Sequence, residues 1–94
     1  MQGGNVMNKT PMLEIKVLGP GCANCERLEK MVYNACAELD LEADIQKITD
    51  INEFAKYGIW LTPGLVVNGK VLLQGKLPTT HTLEYWLQQA NRDQ

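Results

Sequence analysis

An alternating segment, a helical segment and a second alternating segment follow one another in the first half of the chain, and this succession constrains the fold more than any other feature. Apolar and polar residues alternate over Leu13–Leu18 and again over Leu41–Gln46, which predicts two strands. Between them, apolar residues recur at helical spacing from about Ala23 to Leu39, which predicts a helix. Two consecutive strands joined through a helix are parallel with a right-handed crossover. We therefore predict a βαβ unit here.

The second half of the chain predicts a short helix, a hairpin and a last helix. The short helix is expected from Asp50 to Tyr57, with Gly58 closing it. Two β-rich segments then flank Asn68-Gly69, a dipeptide typical of a tight hairpin. The last helix is expected from about Thr79 to Ala90, with its buried face formed by Leu83, Trp86, Leu87 and Ala90. The order β-α-β-α-β-β-α describes an α/β domain with a mixed four-stranded sheet flanked by helices.

Length and composition limit the class of protein. The chain has 94 residues, of which 45% are hydrophobic, so it can form one domain with a small core. A net charge of −2 gives no indication of a nucleic-acid or membrane-surface partner. No apolar run approaches the ~20 residues of a membrane helix, and residues 1–11 lack the apolar region of a signal peptide. We expect a cytoplasmic protein and, as the simplest oligomeric state, a monomer.

One domain accounts for nearly the whole chain. Residues 1–11 are polar and rich in Gly and Asn, and we predict them to be a flexible leader. Residues 12–91 contain all the periodic segments and no internal repeat or linker, so they are predicted as the domain. Residues 92–94 are predicted as a polar tail.

Two of the three cysteines stand close together, in the motif Cys22-Ala23-Asn24-Cys25. Cys22 follows the first predicted strand and begins the first helix, where unpaired backbone N–H groups and the helix dipole favour a thiolate. Two intervening residues let the sulfurs meet across one helical turn, so the pair can open and close as a disulfide. By helical phase, Cys25 lies on the buried side and Cys22 on the polar side. Cys22 is therefore predicted as the nucleophile and Cys25 as the resolving thiol.

The same two cysteines fit a second function, because two thiolates suffice to bind a soft monovalent ion such as Cu(I). Gly-Cys-Ala-Asn-Cys after a strand is also similar to the Met-x-Cys-x-x-Cys loop of copper-carrier domains, although position 20 is Pro rather than Met. A structural zinc site usually needs four ligands, and the spacing of Cys36 and His81 does not suit one. Cys36 is predicted as a buried, inert thiol. The favoured interpretation requires no metal and no bound cofactor besides the disulfide.

Three features together resemble the thioredoxin superfamily: the segment strand-loop-Cys22-x-x-Cys25-helix, a later Thr62-Pro63 entering a strand, and the closing hairpin and helix. The likeness covers nearly the whole chain. It is strongest to small archaeal and bacterial redox-active disulfide proteins, whose patterns Gly-x-Gly-Cys-x-x-Cys and Tyr-Gly-x-x-x-Thr-Pro both occur here, from Gly19 and from Tyr57. The resemblance implies a thioredoxin-like fold and a thiol–disulfide oxidoreductase that acts on protein disulfides, with an upstream dithiol reductase as its second partner.

The proline of this superfamily is cis and lies beside the active-site sulfurs, so the resemblance implies a cis Thr62–Pro63 bond. It further implies that the backbone of Thr62 pairs with an extended segment of the substrate. An ordinary trans proline at the start of an edge strand is the alternative for Pro63. Trp60 and Leu61 precede the proline and form either part of a partner-docking surface or a loop tucked onto the core.

The sequence differs from thioredoxin at positions that are expected to affect the redox properties of the two cysteines. Gly21 replaces the Trp before the first cysteine, and Ala23-Asn24 replaces Gly-Pro between the cysteines. Lys16 stands where thioredoxins carry a buried acid; either its ammonium stabilises the Cys25 thiolate, or its stem packs while its head reaches water. We predict that Ala23, Asn24 and Lys16 tune the redox couple. The Gly-Gly-acid signature of glutaredoxins is absent after Gly75, so glutathione is not the expected substrate.

Overall fold

The computed structural model describes residues 12–93, in which helices cover both faces of a four-stranded sheet. The predicted leader, residues 1–11, lies outside the described residues, as does Gln94. The strands are β1 (Leu13–Leu18), β2 (Ala43–Ile48), β3 (Gly64–Val67) and β4 (Lys70–Gln74). The helices are α1 (Ala23–Glu38), α2 (Ile51–Phe54), which continues into a 3₁₀ turn (Ala55–Tyr57), and α3 (Thr80–Arg92). Because α3 ends at Arg92, the first residue of the predicted tail is helical.

The strand order is β2-β1-β3-β4. Strand β1 pairs in parallel with β2, from Leu13 opposite Ala43 to Leu18 opposite Ile48, which confirms the predicted βαβ unit. Strand β3 is antiparallel to both β1 and β4. The β3–β4 hairpin turns through Asn68-Gly69, whose φ angles of 51° and 82° are the positive values that a tight type I′ turn requires. The predicted mixed sheet is confirmed.

The larger core lies between one face of the sheet and the helices α1 and α3. Alternate residues of β1 face it, together with the apolar stripe of α1 that helical spacing predicted. Trp86 and Ala90 of α3 are partly buried against it. The buried members are Leu13, Ile15, Val17, Leu28, Val32, Ala35, Cys36, Leu65, Val67, Leu73, Leu83 and Leu87.

A smaller core on the opposite face of the sheet fixes the segment that leads into β3. It consists of Leu18, Phe54, Ile59 and Val66. A Cβ at Gly64 would lie 2.8 Å from Cδ1 of Ile59, so the start of β3 packs tightly beneath that side chain. The chain therefore leaves the smaller core after Ile59, passes through residues 60–63 and returns to the core at β3.

The segment predicted as a helix from Asp50 to Tyr57 is helical as far as Tyr57, but its last turn is 3₁₀ rather than α. Asp50 caps it, accepting a hydrogen bond from the Asn52 N–H at 2.9 Å, but regular α-helix ends at Phe54. The carbonyl of Phe54 instead accepts from the N–H of Ile59 at 3.0 Å. The N–H of Gly58, whose φ is 78°, donates to the carbonyl of Ala55 at 3.0 Å, so the last turn is 3₁₀ and closes at Gly58 as predicted. No helix within residues 12–93 combines the length and apolar character needed to cross a membrane.

Candidate active site

Cys22 and Cys25 form a disulfide at the start of α1, with their Cα atoms 5.0 Å apart. Cys22 is the N-cap of this helix, and its Sγ accepts a hydrogen bond of 3.1 Å from the backbone N–H of Cys25. N-cap positions usually carry a side-chain oxygen as the acceptor. In this helix a sulfur is the acceptor instead. A helix N-terminus with a backbone donor aimed at a sulfur is the kind of environment in which proteins place reactive cysteines.

The two bonded sulfur residues differ sharply in exposure. Cys25 is only 2% exposed, whereas Cys22 is exposed at the surface. Helical phase predicted this difference, and the structure confirms it. A reagent or a partner protein approaching the disulfide therefore meets Cys22 first. The intervening Ala23 and Asn24 are exposed residues in the first turn of α1.

Gly19 lies directly against the buried sulfur, a contact that the sequence analysis missed. A Cβ at this position would collide with Sγ of Cys25 and would stand 2.9 Å from its Cβ and 3.8 Å from Cβ of Thr62. Gly19 thus lies between Cys25 and Thr62 and lets the two approach each other. The only signal in the sequence is that Gly19 is the first glycine of the Gly-x-Gly-Cys pattern.

Gly21, immediately before the disulfide, has a φ of 101°. Residues with a side chain rarely adopt this conformation. The backbone of this loop therefore explains why glycine stands where thioredoxins carry Trp.

The Thr62–Pro63 peptide bond is cis, as the family resemblance implied. Pro63 is buried and Thr62 half-buried. The carbonyl of Pro63 accepts a hydrogen bond of 2.9 Å from the N–H of Gly75. Within the described residues, the backbone of Thr62 takes part in no hydrogen bond. Its N–H and carbonyl thus remain available beside the disulfide.

Trp60 and Leu61 project from the loop that precedes the cis-proline. They are 75% and 62% exposed, values that do not fit a loop tucked onto the core. Two neighbouring apolar side chains at this exposure leave apolar area for contact with another molecule. Both belong to the same loop as Thr62 and Pro63.

Gln74, at the end of β4, binds the backbone of this loop, and no sequence pattern pointed to it. Its Oε1 accepts hydrogen bonds from the N–H groups of Trp60, at 2.7 Å, and Leu61, at 3.1 Å. Its Nε2 donates to the carbonyl of Gly58 at 3.4 Å. One side chain therefore satisfies three backbone groups of the loop.

Lys16 is half-buried in β1, on the face of the sheet that carries the smaller core. Its ammonium lies 5.8 Å from the centroid of the Tyr57 ring, a distance suited to a cation–π interaction. The aromatic ring is thus a direct partner of this charge. An effect of Lys16 on the Cys25 thiolate stays a prediction.

Cys36 is 6% exposed within the larger core, which confirms the predicted buried thiol. Burial raises the pKa of this thiol, so its neutral form is favoured. Among residues 12–93 there is no group of three or more His, Cys, Asp or Glu side chains placed to hold a metal ion.

Comparison with known proteins agrees with this geometry. The family model of the thioredoxin domain matches residues 13–88. The chain is 33% identical over 73 residues to a thioredoxin of Methanothermobacter thermautotrophicus, a match that covers 78% of this chain and 95% of the relative. A thioredoxin of Methanocaldococcus jannaschii is likewise 33% identical over 73 residues, covering 78% of this chain and 84% of the relative. The copper-carrier alternative gains no support from these comparisons. The chain therefore belongs to the thioredoxin domain family of thiol–disulfide oxidoreductases.

Proposed function

We propose that this protein reduces disulfides of other proteins through the Cys22–Cys25 couple, and that a dithiol reductase returns the couple to its reduced form. The observation that carries the proposal is the unequal exposure of the two bonded sulfur residues, with Cys22 exposed and Cys25 2% exposed. An exposed thiol meets the substrate, while a sheltered one within reach completes the exchange. The cycle needs a reducing compartment, and we therefore propose a cytoplasmic location.

The first step forms a mixed disulfide. The Cys22 thiolate attacks one sulfur of the substrate disulfide, so that the substrate S–S bond breaks and a bond between Cys22 and the substrate forms. The displaced substrate thiolate takes a proton from water. The backbone N–H of Cys25 and the start of α1 favour the attacking thiolate.

The second step releases the reduced substrate. Cys25 gives its proton to water and its thiolate attacks Sγ of Cys22, so that the bond between Cys22 and the substrate breaks and the intramolecular disulfide forms. The second substrate thiolate leaves and takes a proton from water. Two electrons have then passed from the protein to its substrate. The structure corresponds to the protein at the end of this step, with the Cys22–Cys25 bond formed.

Substrate binding is proposed at the cis-proline loop. The free backbone groups of Thr62 fit pairing with an extended segment of the partner, while Pro63 shapes the loop beside the sulfurs. Trp60 and Leu61 supply exposed apolar area next to it. A single chain provides all of these groups, so a monomer suffices.

The test is reduction of insulin disulfides with a small dithiol as the source of electrons. The wild-type protein is expected to accelerate the reaction over the dithiol alone, and Cys22→Ser to abolish the acceleration. Cys25→Ser is expected to accumulate a mixed disulfide between Cys22 and the substrate, visible by mass spectrometry. Cys36→Ala is the matched control, because it removes a thiol that lies in the core. An active Cys22→Ser protein, or no acceleration by the wild type, would refute the proposal.

A further inference from the structure

We propose that Gln74 is a positioning residue, which holds residues 58–61 in the conformation that presents Trp60 and Leu61 to protein substrates. This inference rests on the proposed function. Gln74 ends β4, an edge strand of the sheet, and is separated from Trp60 by 14 positions in the sequence. Its side chain therefore connects the edge of the sheet to residues 58–61, which do not belong to any strand.

Both the oxygen and the nitrogen of the Gln74 amide take part in this connection. A carboxamide oxygen can accept two hydrogen bonds, and here it accepts from the N–H groups of Trp60 and Leu61. The amide nitrogen donates to the carbonyl of Gly58. The two N–H groups are thereby aimed at a single atom, which restricts the backbone conformations available between Gly58 and Leu61.

The loop depends on this restraint because its own side chains anchor it only in part at these positions. Ile59 is buried in the smaller core and Pro63 is bound through its carbonyl to Gly75. Between these two fixed points, Trp60 is 75% exposed and Leu61 is 62% exposed. Leu61 packs against Gly75, where a Cβ would stand 3.1 Å from Cβ of Leu61, and most of both side chains stays outside the core. The hydrogen bonds from their backbone N–H groups to Gln74 therefore fix the position of this part of the loop more than packing does.

Gln74 takes no part in the exchange chemistry in this account. Its hydrogen bonds go to the three loop groups, and the described residues show none from it to Cys22 or Cys25. Loss of Gln74 should therefore weaken the binding of a protein substrate and leave the reactivity of the sulfurs unchanged. A small disulfide, which needs no docking surface, should react at the wild-type rate.

The test compares Gln74→Met, which keeps the length of the side chain without an amide, with Gln74→Glu, which keeps an acceptor for the two N–H groups. Gln74→Met is expected to raise KM for insulin by about five- to tenfold with kcat nearly unchanged. Its rate with dithiobis-nitrobenzoate and the midpoint potential of the disulfide should equal those of the wild type. Gln74→Glu keeps the acceptor for the two N–H groups but loses the donor to the Gly58 carbonyl, so its KM for insulin should lie between those of the wild type and Gln74→Met. Gln88→Met, at an exposed position on α3, is the matched control.

Amide hydrogen exchange provides a second reading that does not depend on activity. In Gln74→Met, exchange at Trp60 and Leu61 should become faster while exchange in β3 is unchanged. The inference is overturned if KM and exchange in Gln74→Met match the wild type, or if the variant loses activity equally toward insulin and the small disulfide. If the wild type itself does not reduce insulin, the proposed function is wrong, and exchange at Trp60 and Leu61 alone decides whether Gln74 holds the loop.

Discussion

At the end of β1, Gly19 occupies the position where any side chain would meet the sulfur of Cys25. The space that a Cβ would fill is bordered by both the buried cysteine and Thr62. The proximity of the disulfide and the cis-proline loop thus depends on one residue that has no functional group. At the residue scale, the lack of a side chain at Gly19 and Gly21 matters for the geometry of the site as much as the two cysteines do.

Gly19→Ala is expected to destabilise the protein by about 1–3 kcal/mol, because the added methyl group overlaps Sγ and Cβ of Cys25. The cost should fall by about 1 kcal/mol or more when Cys25→Ala removes the sulfur, since residues in contact are energetically coupled. Urea unfolding of the four proteins of this cycle under reducing conditions measures the coupling. Equal costs of Gly19→Ala in both backgrounds would show that the contact with the sulfur is not responsible.

The buried thiol of Cys36 predicts a loss of stability at alkaline pH. Its pKa is raised by burial above the usual value of 9.0. Below that value the thiol is protonated in both the folded and the unfolded states, so Cys36 adds no pH dependence to the free energy of unfolding. Above it the unfolded state ionises first, so the free energy of unfolding falls as pH rises toward the folded-state pKa, by at most ~1.4 kcal/mol per pH unit.

Urea unfolding of the disulfide form as a function of pH tests this expectation. Cys36→Ala should show a shallower alkaline decline than the wild type, because the other titrating groups are common to both proteins. Parallel declines in the two proteins would contradict the assignment to Cys36.

At the scale of elements, each of the three helices begins with a side chain that accepts a hydrogen bond from its own first turn. Asp50 and Thr79 provide oxygen acceptors for α2 and α3, while Cys22 provides a sulfur for α1. Sulfur is a weak acceptor in its thiol form. The start of α1 thus carries a residue suited to exchange chemistry where the other helices carry one suited to stability.

Thr79→Ala should destabilise the protein by about 1 kcal/mol, because the N–H of Thr82 loses its bond to Oγ1 of Thr79. Thermal unfolding measures the effect. Thr80→Ala changes the same side chain one residue later, at an exposed position within the helix, and should alter stability by less than about 0.5 kcal/mol. Equal losses in the two variants would show that capping is not the cause.

At the scale of the whole molecule, local patterns predicted the elements and their order. The alternation in β1, the helical spacing of Leu28 and Val32, and the Asn68-Gly69 turn are all properties of neighbouring residues, and each appears in the structure as expected. The position and unequal burial of the cysteines followed from the same kind of pattern, because helical phase is local.

Features that depend on distant contacts could not be predicted in this way. Gln74 binds groups 13 to 16 positions away, and nothing in its neighbours distinguishes it from a surface glutamine. The contact of Gly19 with Cys25 requires β1 and α1 to be packed together first. The smaller core likewise brings Ile59 together with Leu18 and Val66, which lie far from it in the sequence. Each of these residues acquires its role only in the assembled fold.

The measurement that tests the central claim most directly is a redox titration of the metal-free protein against dithiol buffers, with alkylation and peptide mapping to locate the bridge. We predict a reversible two-electron couple confined to Cys22 and Cys25, with Cys36 unmodified in the folded protein. The account would be contradicted if the pair stayed reduced across the range of the buffers while the protein bound one Cu(I) tightly, which is the behaviour of a metal carrier.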